Sequence, residues 1–130
     1  MLVRCVYASR PRKAMSPELL DSILAKSWEN NPARGITGLL CFTPQVFVQV
    51  LEGGRDEVCE LYNAIVRDDR HGEVRLLCYE EIAERRFGNW TMGKVDVGQL
   101  NPAQLLKYAA RAEFDPYAAS GAATMRLLDE

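Results

Sequence analysis

Residues 35–54 read GITGLLCFTPQVFVQVLEGG, and the fold turns on them. Gly35 to Phe42 is an apolar run bounded by glycine, as a strand would be. Thr43-Pro44-Gln45 is too short for anything but a tight connection. Val46 to Glu52 is a second apolar run, so the two pair antiparallel as a hairpin. Gly53-Gly54 then breaks the chain. Inside the returning strand, Phe47-Val-Gln-Val-Leu51 is large and apolar except at Gln49. An amide in the middle of a buried strand needs a reason.

Outward from the hairpin the pattern alternates. Leu2 to Tyr7 reads as a first strand and Ser9 to Met15 as a proline-containing loop. Ser16-Pro17 starts a helix, with Ser at the N-cap and Pro at the first helical position. Leu19, Leu20, Ile23, Leu24 and Trp28 recur at helical spacing, and Asn30-Asn31-Pro32 should end the helix. A second helix is expected from Arg55 to about Asp68, with Val58, Leu61, Tyr62 and Ile65 facing inward. Glu73 to Ile82 and Trp90 to Val97 read as strands four and five. The order β-α-β-β-α-β-β predicts an α+β, ferredoxin-like sheet with two helices on one face. Beyond Leu100 the pattern becomes helical. Asn101-Pro102-Ala-Gln104 resembles a capped helix start, an Ala-rich helix runs to about Phe114, and Asp115-Pro116 restarts another. Residues 1–98 are therefore expected to form the main body, with 99–130 a helical extension of the same domain.

Composition narrows the function. With 130 residues and 48% apolar content the chain suits one domain with its own core. A net charge of -2 gives no footprint for direct nucleic-acid binding. The short basic cluster Arg10-Pro-Arg-Lys13 reads as a solvated loop. No apolar run approaches a membrane span, so no membrane association is expected. Cys5, Cys41, Cys59 and Cys78 are widely spaced, three of them inside apolar patterns, as in a reduced cytoplasmic protein. With one histidine, His71, no metal site is expected.

Parity then gathers the unusual residues. Phe47, Gln49 and Leu51 share one face of the third strand. Tyr7 lies with Val3 and Cys5 on the first. Trp90 and Met92 point one way on the fifth. On the first helix Ile23 and Ser27 are one turn apart, and Asn30 or Asn31 follows a turn later. If the helices cover the Tyr7 and Gln49 face, a phenol, a hydroxyl and several amides converge beneath them. Unpaired, each would cost about 1–3 kcal/mol. Two readings follow: the groups satisfy one another, or they surround a planar ligand with polar edges.

These residues sit in motifs that resemble the BLUF family of blue-light sensors. The motifs are Val6-Tyr7-Ala8-Ser9, Asn30-Asn31-Pro-Ala-Arg-Gly-Ile-Thr-Gly-Leu-Leu40 and Phe47-Val-Gln-Val-Leu-Glu-Gly53. Asp68-Asp-Arg-His71 and Arg86-Phe-Gly-Asn-Trp-Thr-Met-Gly93 complete the set. Together, in this order and spacing, they are highly specific and cover about three quarters of the chain. The resemblance implies non-covalent FAD between the two helices, its ring facing the sheet. It implies that Tyr7 is the photoactive tyrosine and that Gln49 stands between it and the flavin. Asn31, with Asn30 beside it, would meet the flavin carbonyl edge, while Ile23 and Ser27 lie near the ring. Trp90 and Met92 match a Trp-x-Met pair around the glutamine. Asp68, Arg70 and His71 match positions near the ribityl and phosphate chain. Some relatives carry an arginine on the second helix where this chain has Asn63-Ala64. Arg67, Arg70 and Lys26 are the candidates to replace it.

The implied function is a light switch, not an enzyme. Tyr7 would pass an electron and a proton transiently, Gln49 would rearrange by rotation or tautomerisation, and the flavin absorption would shift red. The fifth strand leads into the 99–130 extension, so output through self-association and a separate effector protein is expected. The competing reading is a small ferredoxin-like regulatory module without a light response. An acyl-phosphate hydrolase on this fold would want an anion loop with a catalytic arginine, which is not evident.

Overall fold

A computed structural model describes residues 1–11, 17–43, 45–68, 71–88 and 93–96. Seven elements follow in chain order: β1 (Leu2–Pro11), α1 (Pro17–Arg34), β2 (Thr37–Phe42), β3 (Phe47–Gly54), α2 (Arg55–Arg67), β4 (His71–Ile82) and β5 (Gly93–Asp96). The sheet order is β4-β1-β3-β2-β5. β1 runs antiparallel to β3 and β4, β2 antiparallel to β3, and β5 parallel to β2. Two β-α-β units are thus interleaved, each split by a strand of the other. This is the expected ferredoxin-like arrangement, extended by β5.

The hairpin forms where the sequence placed it. Thr43 closes it: its N–H donates to the Val46 carbonyl at 2.8 Å, and its Oγ1 accepts from the Val46 N–H at 3.1 Å. In β2 a Cβ at Gly38 would stand 1.9 Å from the Val50 carbonyl oxygen, so only glycine lets β2 approach β3 there. β3 is buried along its length from Phe47 to Gly53, as the central strand of five must be.

Several boundaries differ from the sequence expectation: β4 starts at His71 instead of Glu73, β3 runs through Gly53-Gly54, and two further shifts bear on the site. β1 continues to Pro11, because β4 begins at His71 and offers pairing partners that far: Arg10 opposite Gly72 and Pro11 opposite His71. The register shifts on either side of Tyr7, and Glu73 at the second shift has φ +50°. Extra residues of this kind bend a strand beside a site. Second, α1 passes through Pro32 and ends at Arg34. Proline there removes one hydrogen bond in the last turn, and a Schellman closure terminates the helix. Ile36 N–H donates to the Asn31 carbonyl at 3.0 Å and Gly35 N–H to the Pro32 carbonyl at 3.2 Å, with Gly35 at φ +67°. The closure fixes Asn31 at the end of the helix. Of the strand expected at Trp90 to Val97, the structure describes β5 alone. The expected helices after Leu100 lie outside the described residues.

Both helices cover one face. Val3, Cys5 and Tyr7 of β1, Phe47 and Leu51 of β3, and Leu40 of β2 form one core with Ile23 and Leu24 of α1 and Val58 of α2. Leu61, Tyr62 and Ile65 pack against it, as the inward stripe of α2 predicted. The opposite face carries Val6, Ala8, Leu39, Cys41, Val48 and Val50, also buried.

Candidate functional site

Register builds the centre of the site. Tyr7 and Gln49 are direct partners across β1 and β3, so their side chains leave the sheet on the same side, beneath the helices. Both are buried, and the Tyr7 hydroxyl donates to Gln49 Oε1. The amide NH2 of Gln49 is thereby turned away from Tyr7. Burial pushes the Tyr7 phenol well above its ordinary value of 10.0, with smaller contributions from Cys5, Tyr62 and Asp68. Tyr7 therefore stays a proton donor throughout the physiological range. The Tyr62 ring meets it edge-on, with centroids 5.7 Å apart and planes at 67°.

Ile23 belongs to the same core as Tyr7. Asn31 is 1% exposed, and its Nδ2 has no hydrogen-bond partner among the described residues. A buried NH2 group without an acceptor costs about 1–3 kcal/mol, so its place in a folded chain needs an explanation. A flavin ring edge, with its carbonyl oxygens and ring nitrogens, supplies acceptors of the required kind. The donor set present therefore fits the cofactor that the sequence implied.

The other expected residues divide. Asn30, next to Asn31, is exposed. Asp68 caps α2, its N–H donating to the Ile65 carbonyl at 3.0 Å, and its carboxylate lies within electrostatic reach of Tyr7. His71 begins β4, three residues past that cap, rather than ending the helix. Ser27 lies on α1; for Ser27 and His71 only the backbone is described. Arg70, Trp90 and Met92 fall outside the described residues. Among the described residues no group of His, Cys, Asp and Glu could hold a metal ion. No described helix is long and apolar enough to cross a membrane.

Sequence reading missed Glu52. It is fully buried on the face away from the helices. Oε2 accepts from Arg4 Nε at 2.9 Å and Nη2 at 2.8 Å, and Oε1 accepts from the backbone N–H of Phe87 at 2.7 Å. The Arg86 N–H bridges both oxygens at 3.0 and 3.1 Å. Arg4 also meets Glu80 at 2.8 Å. Burial works against the Arg4 charge, but the two carboxylates outweigh it and hold its pKa above the ordinary guanidinium value. Parity was the available signal: Glu52 sits in the same apolar strand as Gln49, on the opposite face.

A ferredoxin-like sheet with a buried phenol–amide pair under its helices, and on α1 a buried amide whose NH2 has no partner among the described residues, defines a module suited to hold a polar-edged cofactor. The family model for BLUF, sensors of blue light using FAD, matches residues 2–93, and the chain belongs to that family. Its cofactor is non-covalent FAD, and the module is a sensor rather than a catalytic unit. The chain is 34% identical over 92 residues to photoactivated adenylate cyclase subunit beta of Euglena gracilis, covering 70% of this chain and 11% of that protein. It thus spans about a tenth of that relative's length. Among solved structures it is similar to BlsA in its photo-activated state, at TM-score 0.87 and 29% identity over 99% of this chain and 93% of that one. It is also similar to BlrB, a BLUF protein in its dark state, at TM-score 0.79 and 32% identity over 98% and 95% of the two chains.

Proposed function

We propose that this chain is a blue-light photoreceptor in which Tyr7 and Gln49 form the switching pair. The observation that carries the reading is the buried hydrogen bond from the Tyr7 hydroxyl to Gln49 Oε1, held by direct register across β1 and β3. When bound, FAD supplies the absorption of blue light and an electron acceptor beside a phenol. Tyr7 holds its proton at the hydroxyl oxygen in the dark. A phenol that loses an electron becomes strongly acidic, and Gln49 Oε1 is placed to take the proton. An amide carries donor and acceptor on one group, so its rotation or tautomerisation exchanges the hydrogen-bond pattern it offers. Asn31 would hold the flavin carbonyl edge through its NH2 group, with Ile23 against the ring. Asn30 and Ser27 are assigned the neighbouring polar contacts, and Trp90 and Met92 the surroundings of Gln49. Asp68, Arg70 and His71 are assigned to the ribityl and phosphate chain.

Residues 1–98 would be the sensor body. Residues 99–130 would be its helical output, covering the buried sheet face that bears Val48 and Val50 and presenting an interface. The family model, which ends at residue 93, leaves this extension outside the matched sensor region. The output would be self-association and binding of a separate effector protein. A cytoplasmic location agrees with four free cysteines.

The test is optical. The protein reconstituted with FAD should show a flavin spectrum that shifts red under blue light and recovers in the dark. Tyr7→Phe and Gln49→Ala should each abolish the shift while flavin stays bound. A wild-type protein that binds FAD and shows no shift overturns the reading.

A further inference from the structure

Glu52 lies three residues beyond Gln49 in β3, on the other side of the sheet. Its carboxylate receives two kinds of donor. Arg4 comes from β1, the strand that also bears Tyr7. The backbone N–H groups of Arg86 and Phe87 come from the segment that leaves β4 and leads to β5. Arg85 adds a second fastening: its Nη1 donates to the Glu52 carbonyl at 3.1 Å and to Thr37 Oγ1 of β2 at 3.0 Å. Phe87 is buried, whereas Arg86 and Gly88 on either side are exposed. Polar bonds to Glu52 and Thr37 thus join residues 85–87 to the sheet, alongside the burial of Phe87. Charge-assisted bonds of this kind are short and directional, so they transmit a displacement rather than absorb it.

We propose that Glu52 is the positioning residue that fastens the β4–β5 connection to the two strands carrying the Tyr7–Gln49 pair, and so delivers a change at that pair to β5. This rests on the light-sensor reading above. A change in the Gln49 hydrogen bonds alters the backbone of β3, and the Glu52 carboxylate moves with it. The Arg86 and Phe87 N–H groups follow because they bond to the carboxylate directly. β5, which follows this segment in the chain and pairs with β2 at the sheet edge, then feels the shift.

The experiment is amide hydrogen exchange on the FAD-loaded protein, in the dark and under blue light, for wild type and Glu52→Gln, with the flavin spectrum recorded on the same samples. In wild type, residues 85–88 and 93–96 should change their exchange on illumination. In Glu52→Gln the flavin red shift should persist. Exchange at 86 and 87 should rise about tenfold or more in the dark, since a charged acceptor is replaced by a neutral one. The light-dependent difference at 93–96 should vanish, while exchange within the β1–β3 pairing stays as in wild type. A merely structural role would instead raise exchange throughout the sheet. Should Glu52→Gln not fold, Arg85→Ala removes the second fastening and should at least halve the light-dependent difference at 93–96. Unchanged exchange at 86 and 87 in Glu52→Gln overturns the proposal. So does a light response at 93–96 that survives the substitution. Loss of the red shift in wild type would instead sink the light-sensor reading, leaving the dark measurement to judge the fastening alone.

Discussion

The two faces of the sheet each place polar side chains in an apolar setting, yet they differ in how those groups end up. Under the helices, Tyr7 bonds Gln49, but Asn31 Nδ2 finds no acceptor among the described residues. On the far face, the Glu52 carboxylate is met by a guanidinium and two backbone N–H groups, all from this chain. A satisfied buried charge is part of how the chain folds. An unsatisfied buried amide marks a place for an acceptor from outside the described residues. One strand serves both purposes because successive side chains alternate faces.

The sharpest way to break this contrast is to delete the carboxylate. Glu52→Ala leaves the Arg4 guanidinium buried with only the half-exposed Glu80 as partner, and strands two backbone N–H groups. Unfolding stability should fall by about 3–5 kcal/mol, as when one member of a buried ion pair is removed. Urea denaturation of the FAD-free protein measures it. A loss under about 1 kcal/mol would mean that solvent reaches the site and that the two faces do not differ as described.

Buried thiols give a smaller effect, one on each face. Burial pushes Cys5, on the helix side, and Cys41, on the far side, from an ordinary 9.0 up to about 12. The folded values exceed the unfolded ones, so this stability is fully present below pH 9 and is lost as pH rises toward 12. Between pH 9 and pH 10 each thiol should remove about 1.4 kcal/mol. Tyr7, also raised, joins above pH 10. Urea midpoints between pH 8 and pH 10 should therefore fall, and Cys41→Ala should roughly halve the slope. A slope untouched by that substitution would place the far face in contact with water.

The order of elements along the chain and the β2–β3 hairpin were legible because both depend on period-two patterning and turn chemistry, which are local. The end of α1 was not. Pro32 reads as a stop, and the helix survives it because Gly35 closes the turn two residues after the last bonds Pro32 affects. Glu52 was passed over because its partners come from residues 4, 86 and 87, a pairing that sequence spacing does not announce. Strand four was read from Glu73 because the charged run after α2 carries no strand pattern. In the fold β4 starts early to pair with Pro11.

The finest test compares two neighbours, Asn30 and Asn31. They are the same residue type one position apart, one exposed and one 1% exposed. In the FAD-free protein Asn31→Leu replaces an unpaired buried amide with an apolar side chain of the same branching, so stability should rise by about 1 kcal/mol. In the loaded protein the same substitution removes a donor to the ligand, and FAD affinity should drop about tenfold. Asn30→Ala should leave both quantities within about 0.5 kcal/mol of wild type. The opposite signs at Asn31 are the discriminating result, because a purely structural amide would lose stability with or without FAD. If Asn31→Leu weakens the FAD-free fold, the amide has a partner in the chain. The helix face would then be as complete as the Glu52 face, and the unpaired donor would no longer mark where the cofactor sits.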